Sequence, residues 1–350
     1  MATLPKKMNI FVDYHHDGLL ESFYRLFENR LNHKVYRPIG LEWFVSGYWK
    51  INDQRDTAEQ YLSVDNVPKD GTPALNTPLN HDGPEFYSFP REGYTQKAVT
   101  FEEFLKMPID IIIASIPAHI EPFQKLAKIK KAKFIFQVGN DWDFNSYYGL
   151  NVLASIKKRE VPATTNAIFY HQDFDTAKFA VANPVTSRKI YSFVNVYQEN
   201  HGFKDFRALE KEAKQFGFKF SSFGGQCRDG NIEGPQAIAD KMAEAMAIFH
   251  VKSGGDGYGH IIHNAYAMGR PVITRRSDYA GKLAGDLMTD ETCIDLDHYS
   301  ISQAATMLNR MRINPEKLET MSAAAAARFK ELVNFEEDAE RIKQWLQTLN

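Results

Sequence analysis

The chain has 350 residues, 43% apolar and 25% charged, with a formal charge of −2. That length predicts two domains, since single cores stop growing at roughly 250–300 residues, and the near-neutral charge excludes a whole-surface electrostatic grip on nucleic acid. Two cysteines, Cys227 and Cys293, exclude a disulfide framework and a thiolate metal cage, so the chain reads as a reduced, cytoplasmic protein.

The first elements read as strand, loop and helix. Asn9 to Tyr14 is a short apolar run of the kind buried in a parallel sheet. After His15-His16-Asp17-Gly18, the residues Leu19, Leu20, Phe23, Leu26, Phe27 and Leu31 recur at helical spacing. His33–Tyr36 predicts a second strand. Ile51 to Thr95 is rich in Asp, Asn, Pro and Gly and reads as one long excursion, a kind of loop that is usually functional. Ile109–Ser115 and Lys133–Val138 then predict strands, with a helix from Pro117 to Ile129 between them. Strands alternating with helices predict a parallel sheet covered on both faces. No apolar run approaches the ~20 residues that span a bilayer, and Met1–Met8 has no signal-peptide apolar region.

A domain boundary is expected at Asn183-Pro184-Val185, giving domains 1–184 and 185–334, with 335–350 as a closing helix. Past the boundary the alternation restarts. Strands are predicted at Ile190–Tyr197, Phe218–Phe223, Ile248–Val251 and Pro271–Thr274. Helices are predicted at Phe206–Gln215, Pro235–Ala247 and Tyr258–Met268. Three further helices follow, at Ser302–Met311, Pro315–Leu332 and Phe335–Leu349. The predicted fold class is therefore α/β, with two doubly wound Rossmann-like domains facing each other across a cleft.

The segment Phe249-His250-Val251-Lys252-Ser253-Gly254-Gly255-Asp256-Gly257-Tyr258-Gly259-His260 carries most of the functional argument. A strand ends in a glycine-rich loop, and a helix begins at once. Glycines let backbone approach a ligand closely, and the exposed amides and positive dipole end of the helix favour an anion such as a diphosphate. A tight strand-to-helix turn with no ligand is the plainer alternative. The helix should end at Gly269, before the next strand at Pro271.

Ser253, Gly257, Tyr258, Gly259, Ala265, Ala267, Gly269, Pro271, Val272 and Ile273 fall in register with the donor-binding signature of retaining GT-B glycosyltransferases. The segment thus resembles the group that includes glycogen synthase and sucrose synthase. Asn334-Phe335-Glu336-Glu337 is similar to the start of that family's last helix, which crosses back to the first domain. The resemblance implies transfer of a sugar from a nucleotide-diphosphate donor, of UDP or GDP type, to a hydroxyl acceptor, with no cofactor and no metal. The acceptor class stays open among glycans, proteins, lipid-linked sugars and modified nucleic-acid bases. The family has two acids separated by seven residues, one for the sugar and one for the ribose. Their places hold Asp256 and Asn264 here.

Donor contacts are accordingly expected from Ser253, Gly254, Gly255, Gly257, Tyr258, Gly259, His260 and Asn264. The family's phosphate-binding cations have two candidate counterparts, Lys204 and Arg228, the latter beside Gly225 on a second strand-end loop. Catalytic candidates are Asp256 and, at the end of the first strand, His15, His16 and Asp17, which could activate an acceptor hydroxyl. For that cluster the plainer alternative is a helix cap. A nucleotide-sugar epimerase and a non-catalytic nucleotide- or sugar-binding protein are the competing functions.

Overall fold

The computed structural model describes residues 7–13, 17–38, 86–140, 147, 149–156, 164–195, 197, 202–252 and 254–349. His15, His16, Ser253 and most of the expected excursion lie outside these residues. The chain forms two compact units. One comprises 1–155, 160–174 and 335–350, and the other comprises 156–159 and 175–334.

In the first unit an eight-stranded sheet has the order β3-β4-β2-β1-β5-β6-β7-β8. Its strands are β1 (Asn9–Val12), β2 (Lys34–Pro38), β3 (Tyr87–Arg91), β4 (Tyr94–Val99), β5 (Ile111–Ala114), β6 (Lys133–Val138), β7 (Asn151–Ala154) and β8 (Asn166–Phe169). All neighbours are parallel except the β3–β4 hairpin, which turns at Glu92-Gly93. Side chains alternate faces along a strand, and β1 shows the consequence. Ile10 and Val12 join the core built with helix α1 (Asp17–Phe23), its π-wound continuation Tyr24–Arg30, and the C-terminal residues Ala339, Ile342 and Trp345. Phe11 points the other way, with ring centroids 4.6 Å from Phe104 of α2 (Phe101–Lys106) and 6.0 Å from Phe123 of α3 (Pro117–Lys130). Both faces are thus covered by helices. That burial explains why the strands read as continuous apolar runs.

The second unit has a fully parallel five-stranded sheet of order β10-β9-β11-β12-β13. Its strands are β9 (Lys189–Ser192), β10 (Lys219–Ser222), β11 (Ala247–Phe249), β12 (Val272–Thr274) and β13 (Cys293–Asp295). Its helices are α4 (Phe203–Ala213), α5 (Pro235–Glu244), α6 (His260–Ala267), the short α7 (Leu283–Asp286), α8 (Ile301–Ile313) and α9 (Pro315–Leu332). One face of the sheet packs Ile190, Phe220, Phe249, Ile273 and Ile294 against Phe206, Leu209, Ala304 and Leu308.

The segment 175–184, assigned to the first domain from the sequence, packs with the second unit. The amide of Ala182 donates to Met268 O at 3.2 Å. The buried Arg270 guanidinium donates to the carbonyls of Ala182, Asn183, Met242 and Ala243 at 2.8–3.3 Å. The last helix, α10 (Phe335–Leu346), returns to the first unit. There Asp338 accepts from the His171 amide at 2.8 Å and from His171 Nδ1 at 2.9 Å, and Trp345 Nε1 donates to Asn166 at 2.9 Å. Among the described residues no helix is long and apolar enough to cross a membrane.

Candidate functional site

In an open α/β sheet, ligands bind beyond the carboxyl ends of the strands where the strand order reverses. In the second unit that point lies between β9 and β11. The glycine-rich loop follows β11, and the turn into α4 follows β9. The two loops meet at Gly202, where a Cβ would sit 1.9 Å from Val251 O. Only glycine lets these backbones come so close.

The loop itself is built in three steps. Gly255 N donates to Lys252 O at 2.7 Å, closing a tight turn in which Gly254 has φ +73°. The turn is then gripped by the segment after β12. Asp278 Oδ1 accepts from Gly254 N at 3.0 Å, while Lys282 Nζ donates to Gly254 O and, at 3.3 Å, to Asp256 O. Finally α6 starts at His260 with Gly259 as its N-cap and no capping side chain. Among the described residues, the amides of Gly257, Gly259 and Ile261 have no hydrogen-bond partner. Unmet donors at a helix start are the feature that binds anions.

Asp256 differs from the expectation of a carboxylate free to meet a sugar. Its Oδ2 accepts from His250 Nε2 at 2.5 Å and its Oδ1 pairs with Lys252 Nζ at 2.5 Å. Burial alone would raise this carboxyl group's pKa, but the charge and hydrogen bond of His250, reinforced by Lys252, hold it well below the usual carboxylate range. His250 is buried at the end of β11, so the pair forms a charged anchor beneath the loop.

The other expected contacts separate into groups. Gly254 faces open space, whereas a Cβ on Gly255 would strike Asp278 O and one on Gly259 would approach Ala284. The latter two glycines therefore make room for protein. Tyr258 is buried and lies flat on His263, with centroids 4.0 Å apart and planes at 14°. His263 Nδ1 in turn donates to Gly259 O at 3.0 Å. Tyr258 thus packs the base of the helix. His260 is half-buried, edge-on to Tyr258. Asn264 is buried on α6, and its Oδ1 has no partner among the described residues. Lys204 is exposed on the first turn of α4. Gly225 is also exposed, its amide donating to Asn195 Oδ1 at 2.9 Å. Arg228 is already occupied, with Glu210 at 2.9 Å, Asp229 at 3.1 Å and Phe220 O as partners. Its charge is neutralised locally.

The first unit repeats the switch-point geometry between β1 and β5. There Asp13 is buried and accepts from Ser115 N and Ser115 Oγ, each at 2.6 Å, and from His119 Nδ1 at 2.7 Å. Asp17 is the exposed first residue of α1. Sequence reasoning named His15, His16 and Asp17 here and did not anticipate the partners of Asp13. Ser115 and His119 are 102 and 106 residues away, and no local pattern joins them. Among the described residues, no group of three or more His, Cys, Asp or Glu side chains is placed to hold a metal ion.

Two doubly wound units with a C-terminal helix returning to the first define the GT-B fold of glycosyltransferases. Solved structures with that fold align over nearly the whole chain. Anabaena HepE in complex with UDP-glucose has a TM-score of 0.62 at 12% identity, over 98% of this chain and 100% of that one. Sucrose-phosphate synthase from Thermosynechococcus elongatus gives 0.61 at 11%, over 98% and 99%. A glycosyltransferase from Rickettsia africae gives 0.60 at 12%, over 98% of each chain. At such identities the likeness is one of fold. The sequence matches no protein-family model and no curated relative.

Proposed function

We propose that this protein is a glycosyltransferase that takes a nucleotide-diphosphate sugar in its second unit and passes the sugar to a hydroxyl acceptor, without a resident metal or cofactor. The observation that carries this reading is the row of unmet amides at Gly257, Gly259 and Ile261, at the switch point of a parallel sheet. Amides fixed in place can stabilise the charge that grows on a departing diphosphate, which is the main electrostatic task of the reaction. Lys204, exposed at the start of α4, adds a cation from the adjoining loop. Asn264 offers a buried amide oxygen to a ribose hydroxyl. One neighbour in fold supports the donor class, since HepE was solved with UDP-glucose.

Asp256 enters the proposal in a changed role. With both oxygens engaged by His250 and Lys252, it anchors the loop. The same observation favours a second reading, a protein that binds the nucleotide sugar without turning it over. Incubation with UDP-glucose and other nucleotide sugars, followed by chromatography of the nucleotide, separates the two. Transfer activity releases nucleoside diphosphate, at least slowly to water. Binding with no release supports the second reading, and no thermal stabilisation by any UDP, GDP, ADP or TDP compound overturns both.

A further inference from the structure

The sequence offers no clean counterpart to the paired cations expected for a diphosphate, yet the structure contains a lysine that reaches the loop from elsewhere. Lys282 is only 3% exposed. Its ammonium lies 5.9 Å from the centroid of the Tyr279 ring and donates to two carbonyls of the glycine-rich loop, Gly254 O and Asp256 O.

A trans peptide holds its C=O and the next N–H in opposite directions. Turning the carbonyl of Asp256 toward Lys282 therefore turns the amide of Gly257 away from it, and Gly257 is one of the three amides with no partner. Turning the carbonyl of Gly254 toward Lys282 likewise directs the Gly255 amide onto Lys252 O, closing the tight turn. Asp278, four residues earlier on the same segment, takes the Gly254 amide. One short stretch after β12 thus sets the peptide planes of the loop from beneath.

We infer that Lys282 is a positioning residue for an anionic diphosphate group, resting on the donor reading above. It collects the loop's carbonyl oxygens on one side so that the Gly257 amide faces the ligand. Its buried positive charge also raises the potential felt by an anion at that amide. Without it, the carbonyls of residues 254 and 256 would be free to rotate outward and meet the phosphoryl oxygens with like partial charge.

Isothermal titration calorimetry of the parent, Lys282→Met and Lys282→Gln with UDP and with inorganic pyrophosphate tests the inference. Methionine keeps the unbranched stem as far as Cε and loses both charge and donors. Glutamine keeps a neutral donor and guards against a methionine variant that fails to fold. The expected result is at least a tenfold weaker UDP affinity for Lys282→Met, a smaller loss for Lys282→Gln, and the same fold-change for pyrophosphate as for UDP in each variant. A matched loss in variants that remain fully folded at the assay temperature, checked by thermal melting without ligand, is the readout that general destabilisation would not produce. Variants that bind both probes as the parent does, or that lose UDP while keeping pyrophosphate, overturn the role of Lys282 and leave the donor reading standing. A parent that binds neither probe, nor GDP, ADP or TDP, overturns the donor reading itself.

Discussion

Gly254 and Gly255 are adjacent, both have φ near +73°, and their surroundings make them respond differently to the same substitution. Alanine at either position must adopt a left-handed conformation, at a cost of about 1–2 kcal/mol. At Gly254 that is the whole cost, because nothing lies within 4 Å of the added Cβ. At Gly255 the Cβ would fall 2.3 Å from Asp278 O and 2.8 Å from Lys282 Nζ. A backbone carbonyl cannot step aside as a flexible side-chain end can. Relief requires the loop to lift off the 278–282 segment, an overpacking strain of about 1–3 kcal/mol beyond the conformational term. Gly255→Ala should therefore unfold at a lower temperature than Gly254→Ala, by roughly 2–4 °C per kcal/mol for a unit of this size. Urea titration of parent and both variants gives the free energies directly. If Gly255→Ala is no less stable than Gly254→Ala, the grip of the 278–282 segment on the loop has been misread, and the inference about Lys282 falls with it.

Two further outcomes follow from the ion pairs and hydrogen bonds of the second unit. Because the folded carboxyl of Asp256 titrates lower than an unfolded aspartate, its contribution to stability is fully present above about pH 5 and declines as pH falls below ~4. Urea denaturation of parent and Asp256→Asn should differ at pH 7 by an amount that begins to narrow as the pH falls from 4 to 3, and a difference that grows on acidification would reverse the assigned sign. Arg270→Met should cost about 3 kcal/mol. Buried carbonyls left unmet cost about 1–3 kcal/mol each, offset in part because a cation no longer has to be buried. A loss below about 1 kcal/mol in the same assay would show that water replaces the guanidinium at the carbonyls of Ala182, Asn183, Met242 and Ala243.

Local order was legible from the residues themselves. The apolar runs at Ile10, Ile112, Ile248 and Ile273 became buried parallel strands. Gly269 ends α6 as expected, its amide donating to Tyr266 O and that of Arg270 to Ala265 O. The last helix also joined the first unit, as the likeness of Asn334 to Glu337 implied. Strand β3 was hidden within what read as an excursion, and β4 begins at its end, because Tyr87–Arg91 contains Pro90 and Tyr94–Val99 contains polar residues. An edge hairpin tolerates both.

What the sequence determined by itself is the succession of strands and helices and the place where glycines precede a helix start, since those depend on neighbours a few residues apart. Tertiary structure alone decided which charges serve that place. Asp256, expected to face a ligand, is turned onto His250. Arg228, expected to meet phosphate, is held by Glu210 and Asp229. Lys282, unremarked in the chain, lies 28 residues from the Gly254 carbonyl it holds. Hydrophobic periodicity repeats along the chain and can be read there, whereas a buried charge is placed by whichever distant group satisfies it.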